Sequence, residues 1–140
     1  MVTGYDVPAD KLIASIAKEL AGMPEIAPPA WMKYAKSGSH RERSPRQADF
    51  WATRCASILR AAYVHDVVGV ARLRTHYGGR VHRGVRPEHH RDAGGAIIRR
   101  ALQQLEKAGL LSQSATGKKG RRLTAKGRAL VDKVAKSIAK

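Results

Sequence analysis

Apolar residues recur at helical spacing in five segments of this chain, and polar punctuation separates them. Leu12, Ile13, Ile16, Ala17 and Leu20 form one stripe, with Asp10 as the expected N-cap and Gly22 and Pro24 as the stop. Trp31 and Tyr34 fall in a short stretch, Ala30 to Ala35, read as one helical turn against the core. Trp51, Cys55, Ile58, Leu59 and Ala62 share a face of the longest expected helix. Ser44-Pro45 would supply its N-cap and first residue, and it would run to about His65. Arg60 lies opposite that face with Asp49, Thr53 and Ser57, and Arg54 sits at its margin, where the stem can pack and the head reach outward. Val70, Leu73 and Tyr77 predict a shorter helix with Arg72 and Arg74 outward, ending at Gly78-Gly79.

Ile97, Ile98, Ala101, Leu102, Leu105 and Ala108 occupy one arc of a further helix, expected to start at a cap on Asp92 and end at Gly109. Arg99, Arg100, Gln103 and Lys107 occupy the other arc. Leu110-Leu111-Ser112 and Arg121-Arg122-Leu123 read as two short strands around a Gly- and Lys-rich tip, Ala115 to Gly120. Thr124 caps a last helix in which Leu130, Val131, Val134, Ala135 and Ile138 face inward. No internal repeat is visible.

Two segments carry no apolar period. Ser37 to Arg46, with Arg41 and Arg43, is polar and basic and reads as an exposed loop. Thr75 to Arg91 is the second. It holds Arg80, Arg83, Arg86 and Arg91, four histidines and a single acid, Glu88. It cannot make a buried helix or a buried strand, so the expectation is a long binding loop clamped between two helices.

Charge changes the picture from a small helical domain to a binder of polyanions. The 140 residues carry 27 Lys plus Arg against 11 Asp plus Glu, a formal net charge of +16. Solubility asks for a magnitude of only about 2–8, and the surplus repels itself unless something anionic neutralises it. Nucleic acid is the first candidate and an acidic membrane surface the second. No apolar run is long enough to span a bilayer, and the polar, acidic N-terminus is not that of a signal peptide. The lone Cys55 excludes an intrachain disulfide and fits a reducing compartment.

The order of short helix, connection, amphipathic helix, two-stranded basic hairpin and helix is that of a winged helix-turn-helix. The expected fold is one mainly α domain over residues 1–140: a winged-helix core, a short two-stranded wing and extra N-terminal helices. The turn between the two core helices should be three or four residues. Here it runs from Gly78 to Arg91, which suits an irregular RNA surface better than a DNA major groove. A winged-helix DNA-binding regulator or chromatin protein is the alternative.

Blander readings stand beside each motif. The basic helix arc and loop could be solvated surface, and the Lys118-Lys119 tip likewise. Arg54 could tie helices together as well as meet RNA. His76, His82, His89 and His90 lack the paired spacing of a metal site, so no metal is expected. Cys55 lies on an apolar face without a positioned base and reads as core. Gly78-Gly79 is no phosphate cradle and is expected to supply positive φ at a helix end. Trp31, Tyr34, Trp51 and Tyr63 read as core aromatics. No constellation supports an enzyme, a cofactor or a small-molecule substrate.

A set of linked motifs resembles a known family. Val7-Pro8-Ala9-Asp10-Lys11-Leu12, Pro28-Pro29 with Trp31, Lys36-Ser37-Gly38, and Asp49-Phe50-Trp51 with Arg54, Ala56, Ser57 and Arg60 carry it first. Tyr63, Val68-Gly69-Val70, Tyr77-Gly78-Gly79, Arg83-Gly84-Val85, Pro87, His89, Leu102-Gln103, Leu105-Glu106 and Gly120-Arg121-Arg122-Leu123-Thr124 with Gly127 continue it. The chain is similar along nearly its whole length to the archaeal and eukaryotic small-subunit ribosomal proteins of the S19e family. The resemblance implies a non-catalytic winged-helix protein of the cytoplasmic ribosome. Its place would be on small-subunit rRNA in the head, beside neighbouring head proteins, with a part in subunit maturation. The motif is densest at Arg54, Arg60, Tyr77, Gly78, Gly79, Arg83 and Gly84. With the basic residues above, the candidate rRNA-binding set adds Arg41, Arg43, Arg72, Arg74, Arg80, His82, Arg86, His89, Arg91, Arg99, Arg100, Gln103, Lys107, Lys118, Lys119, Arg121 and Arg122.

Overall fold

The computed structural model describes residues 1–115 and 117–140; Thr116, in the expected Gly- and Lys-rich tip, lies outside the described residues. The apolar stripes become five α-helices: α1 (Ala9–Ala21), α2 (Phe50–His65), α3 (Val70–Tyr77), α4 (Gly95–Lys107) and α5 (Ala125–Ile138). A 3₁₀ turn covers Ala30–Lys33. Among the described residues five short strands accompany them: β1 (Val67–Val68), β2 (Gly79–Arg83), β3 (Arg86–Arg91), β4 (Leu111–Gln113) and β5 (Arg121–Leu123). The fold is mainly α with two small antiparallel sheets.

The core is where the stripes meet. Leu12, Ile16 and Leu20 of α1, Cys55, Ile58 and Leu59 of α2, Ala101, Leu102 and Leu105 of α4, and Val131 of α5 are fully buried. Leu110 and Leu111 close it beneath the sheet β1-β5-β4, in which Val67 pairs with Arg122 and Leu111 with Leu123. Trp51 is 3% exposed and pins three segments: its Nε1 donates to Gln104 Oε1 at 2.8 Å, and Gln104 Nε2 donates to Ala27 O at 2.8 Å. Burial pushes the Cys55 thiol up to about 12, so it stays protonated and acts as a small core residue.

Helix starts depart from the sequence expectation in three places. Pro8, not Asp10, holds the N-cap position of α1, and Asp10 lies in the first turn, where its charge favours the helix end. The longest helix begins at Phe50 after Asp49 rather than at Ser44-Pro45, which lie in irregular chain. Gly94, not Asp92, precedes α4. None of the three starts has a side-chain cap hydrogen bond, and before α4 the backbone is held by tertiary contacts instead, from Ala93 N to Arg74 O and from Gly94 N to Ser37 O. Thr124 does cap α5, accepting from Gly127 N at 3.1 Å. Trp51 and Tyr63 are core aromatics and Trp31 packs partly against the core, but Tyr34 is 80% exposed.

The largest departure is Thr75–Arg91. The segment is no irregular loop: after α3 ends at Tyr77 it folds into the hairpin β2-β3. Every residue of β3 is exposed. A test that looks for a buried face cannot see such a ribbon, because its strands satisfy each other's backbone and bury no stripe. Gly78 and Gly79 do not adopt positive φ. Gly78 is required for space: a Cβ there would run into the carbonyl oxygen of Arg91.

Candidate nucleic-acid interface

The hairpin is rooted where α3, α4 and the chain before α2 converge. Ala93 N donates to Arg74 O at 2.9 Å, and Arg74 Nε donates back to Ala93 O at 3.0 Å. Gly94 N donates to Ser37 O at 2.9 Å, and Gly38 forms a β-bridge with Ala93. The first residues of the expected 37–46 loop are therefore a strap across the hairpin root, while Arg41 and Arg43 beyond them are exposed. His40 lies between the strap and β2: a Cβ on Gly79 would sit 3.0 Å from its ring. Burial first, then the charges of Arg41, His90 and Arg54, hold the His40 pKa below its ordinary value.

Arg54 defines the electrostatics of this root. Its guanidinium carbon lies 4.0 Å from the Tyr77 ring centroid and 5.2 Å from that of Phe50. Tyr77 is held in turn by a 2.7 Å hydrogen bond with Ser57 Oγ. Stacking on an aromatic face stabilises a cation and leaves its in-plane N–H donors directed outward. No carboxylate pairs with Arg54 among the described residues, and burial pulls its pKa down. A planar donor fork, partly desolvated and within reach of the charge of Arg41, is suited to a phosphate oxygen.

Along the hairpin, Arg80 and His82 both reach Glu88, at 3.4 Å each. Arg86, His89 and Arg91 are exposed on β3, and Gly84 occupies the tip with φ +71°. Arg83 is half-buried, and its Nε is shut off from solvent without an acceptor. Arg60 on α2 shares that property. On α4, Arg99, Arg100, Gln103 and Lys107 are all exposed on the arc opposite Ile97, Ile98, Leu102 and Leu105, as the periodicity requires. The hairpin root runs directly into the α4 N-terminus through Ala93-Gly94.

The second sheet differs. Arg121 Nε bonds Glu106 Oε2 at 2.8 Å, and Arg122 bonds Asp66 at 2.5 Å, so both arginines are committed to ion pairs within the fold. Arg74 likewise spends its Nε on the hairpin root. Lys118 and Lys119 are exposed and line a shallow recess with Arg72 and Gly69. The candidate residues thus include a set on the hairpin and α4, a smaller set at Lys118 and Lys119, and three arginines with structural partners. Sequence reading missed His40 and the Ser37-Gly38 strap as parts of the site. Their only signal was the resemblance at Lys36-Ser37-Gly38, since nothing local marks a loop that bonds to a distant turn. Among the described residues no group of His, Cys, Asp and Glu is placed to hold a metal ion, and no helix is long and apolar enough to cross a membrane.

Comparison with known proteins adds an independent finding. The family profile described as ribosomal protein S19e matches residues 3–140. The chain is 46% identical over 140 residues to the small ribosomal subunit protein eS19 of Aeropyrum pernix, covering 99% of this chain and 90% of that one. It is 44% identical to the protein of the same name from Haloarcula marismortui, covering 96% and 90%. With that of Emericella nidulans it shares 40%, covering 97% and 91%.

Proposed function

The chain belongs to the ribosomal protein S19e family, and from that premise we propose that it is a structural, non-catalytic constituent of the small ribosomal subunit that binds small-subunit rRNA. The observation that carries the rRNA reading is the exposed basic hairpin leading directly into α4 with its exposed cationic arc, on a chain of net charge +16. Arg54, stacked on Tyr77 without a carboxylate, supplies a pre-oriented phosphate donor at the hairpin root. Arg80, His82, Arg83, Arg86, His89 and Arg91 line the arms, with Tyr77, Gly78, Gly79 and Gly84 shaping them. Arg99, Arg100, Gln103 and Lys107 extend the surface, and Arg41, Arg43, Arg60, Arg72, Lys118 and Lys119 surround it. Arg74, Arg121 and Arg122 act first as structural ties.

The whole of 1–140 is read as one winged-helix domain. Support comes from the order α2-β1-α3-β2-β3-α4-β4-β5 with β5 between β1 and β4, which is compatible with a winged helix-turn-helix carrying the hairpin β2-β3 as an insertion between its two core helices. α4 then holds the recognition position. The hairpin stands beside the start of α4 and would meet a duplex before α4 could enter a major groove, which favours an irregular RNA surface over DNA. On this reading the protein sits on the cytoplasmic ribosome, and we assign it to the head of the small subunit, beside other head proteins, with a part in subunit maturation.

The test is to express the tagged chain in cells, purify it under native conditions and sequence the nucleic acid that travels with it. Small-subunit rRNA enriched over large-subunit rRNA and over DNA is the expected result. Enrichment of genomic DNA would replace this reading with that of a DNA-binding regulator.

A further inference from the structure

The tip of the hairpin carries a side chain that neither the fold nor the electrostatics uses. Val85 is 104% exposed, in the most polar and basic part of the chain. Gly84, with φ +71°, and Val85, whose φ is not positive, form a two-residue loop between Arg83 and Arg86. That is the pattern of a II′ turn, which asks for glycine first and makes no demand for an apolar second residue. Nothing lies within 4 Å of a Cβ built on Gly84, so the tip stands clear of the rest of the molecule.

The surroundings of Val85 are strained by charge. The register sets Arg83 directly opposite Arg86 and Arg80 opposite His90. Like charges at facing positions destabilise a ribbon, and a two-stranded ribbon has little stability of its own to lose. The single acid of the hairpin, Glu88, is already shared between Arg80 and His82. Arg83 in addition keeps Nε away from water with no acceptor, an arrangement that costs free energy until an acceptor arrives.

We propose that Val85 is an RNA-contacting wedge, packing against an unstacked nucleobase while Arg83 and Arg86 hold the phosphates on either side. Apolar side chains at the ends of basic elements wedge between or against bases in this way, and RNA offers splayed bases in its loops and bulges. The occupant is assigned to RNA because two arginines bracket the valine at the turn itself. An apolar pocket on a protein would need its own acids to receive them. The proposal deepens the rRNA reading and rests on it.

The test uses the full chain and transcribed small-subunit rRNA, with affinity measured across a salt series. Val85→Thr keeps the β-branched shape and replaces a methyl by a hydroxyl. It should bind several-fold to about tenfold more weakly at every salt concentration, with the salt slope of wild type, because no phosphate contact is lost. Val85→Ile should retain wild-type affinity. Arg83→Ala, in contrast, should lower the slope by about one contact. All three should melt as wild type does. Val85→Thr binding like wild type overturns the proposal. So does Val85→Thr binding naked rRNA normally while failing to enter small subunits, which would assign the tip to a protein neighbour. A wild-type chain that does not bind the rRNA at all overturns the underlying reading together with this one.

Discussion

Removing the hairpin arginines together, Arg80, Arg83 and Arg86 to Ala, separates binding from folding in one variant. Arg80 is 77% exposed in its side chain, and its pair with Glu88 is 3.4 Å long; a pair this exposed is worth at most about 1 kcal/mol. Losing it is offset by relief of the repulsion between Arg83 and Arg86, which face each other across the turn. Helical CD should therefore be unchanged and the melting temperature within about 3 °C of wild type. Binding should respond very differently. Each phosphate neutralised contributes about 0.9 to the logarithmic salt slope on duplex and about 0.7 on single strands. Three lost contacts lower the slope by about 2–3. Between about 50 mM and about 200 mM salt, the affinity ratio of wild type to variant should then shrink by roughly 20- to 40-fold. Filter binding or anisotropy over that salt range measures the slope, and a sucrose gradient of cell extract shows whether the variant enters small subunits. A variant with the wild-type slope that still sediments with small subunits would refute the assignment of this hairpin as the centre of binding.

Trp51→Ala should act through the core: truncation of a buried Trp costs about 3–5 kcal/mol, and it also strips Gln104 of its partner, so thermal melts should fall by at least about 10 °C. A normal melt with lost RNA binding would show that Trp51 stacks on nucleic acid instead. Gly78→Ala should loosen the hairpin root, because the new methyl meets the backbone of Arg91. Hydrogen exchange should then speed up in 79–91 while the α1 and α2 amides keep their protection, and uniform protection would show that the root absorbs the change. For pH, the His40 pKa is depressed from an ordinary value near 6.5. The unfolded state thus takes up its proton first on acidification. The stability His40 permits is complete above that value and falls as pH drops through the window down to the folded value. His40→Gln should flatten that part of the denaturation midpoint against pH, and an identical pH curve for variant and wild type would remove His40 as its source.

Much of this protein was legible in the chain itself. Helical stripes depend only on the period of apolar residues, so the helical segments, the buried set Leu12, Ile16, Ile58, Leu59, Leu102 and Leu105, and the exposed arc of Arg99 to Lys107 follow from sequence. The Thr124 cap is equally local, since its acceptor and donor are three residues apart. Net charge pointed to a polyanion without any structure. Tertiary structure alone decided the rest. The basic segment Gly79–Arg91 pairs with itself through backbone hydrogen bonds and buries no face, so it leaves no hydrophobic period to read. Whether an arginine is a tie or a free donor depended on partners far along the chain. Arg121 and Arg122 found Glu106 and Asp66, Arg74 found the carbonyl of Ala93, and Arg54 found the rings of Tyr77 and Phe50. Side-chain chemistry is written in the sequence, but the choice of partner is made by which surfaces the packed helices bring within reach.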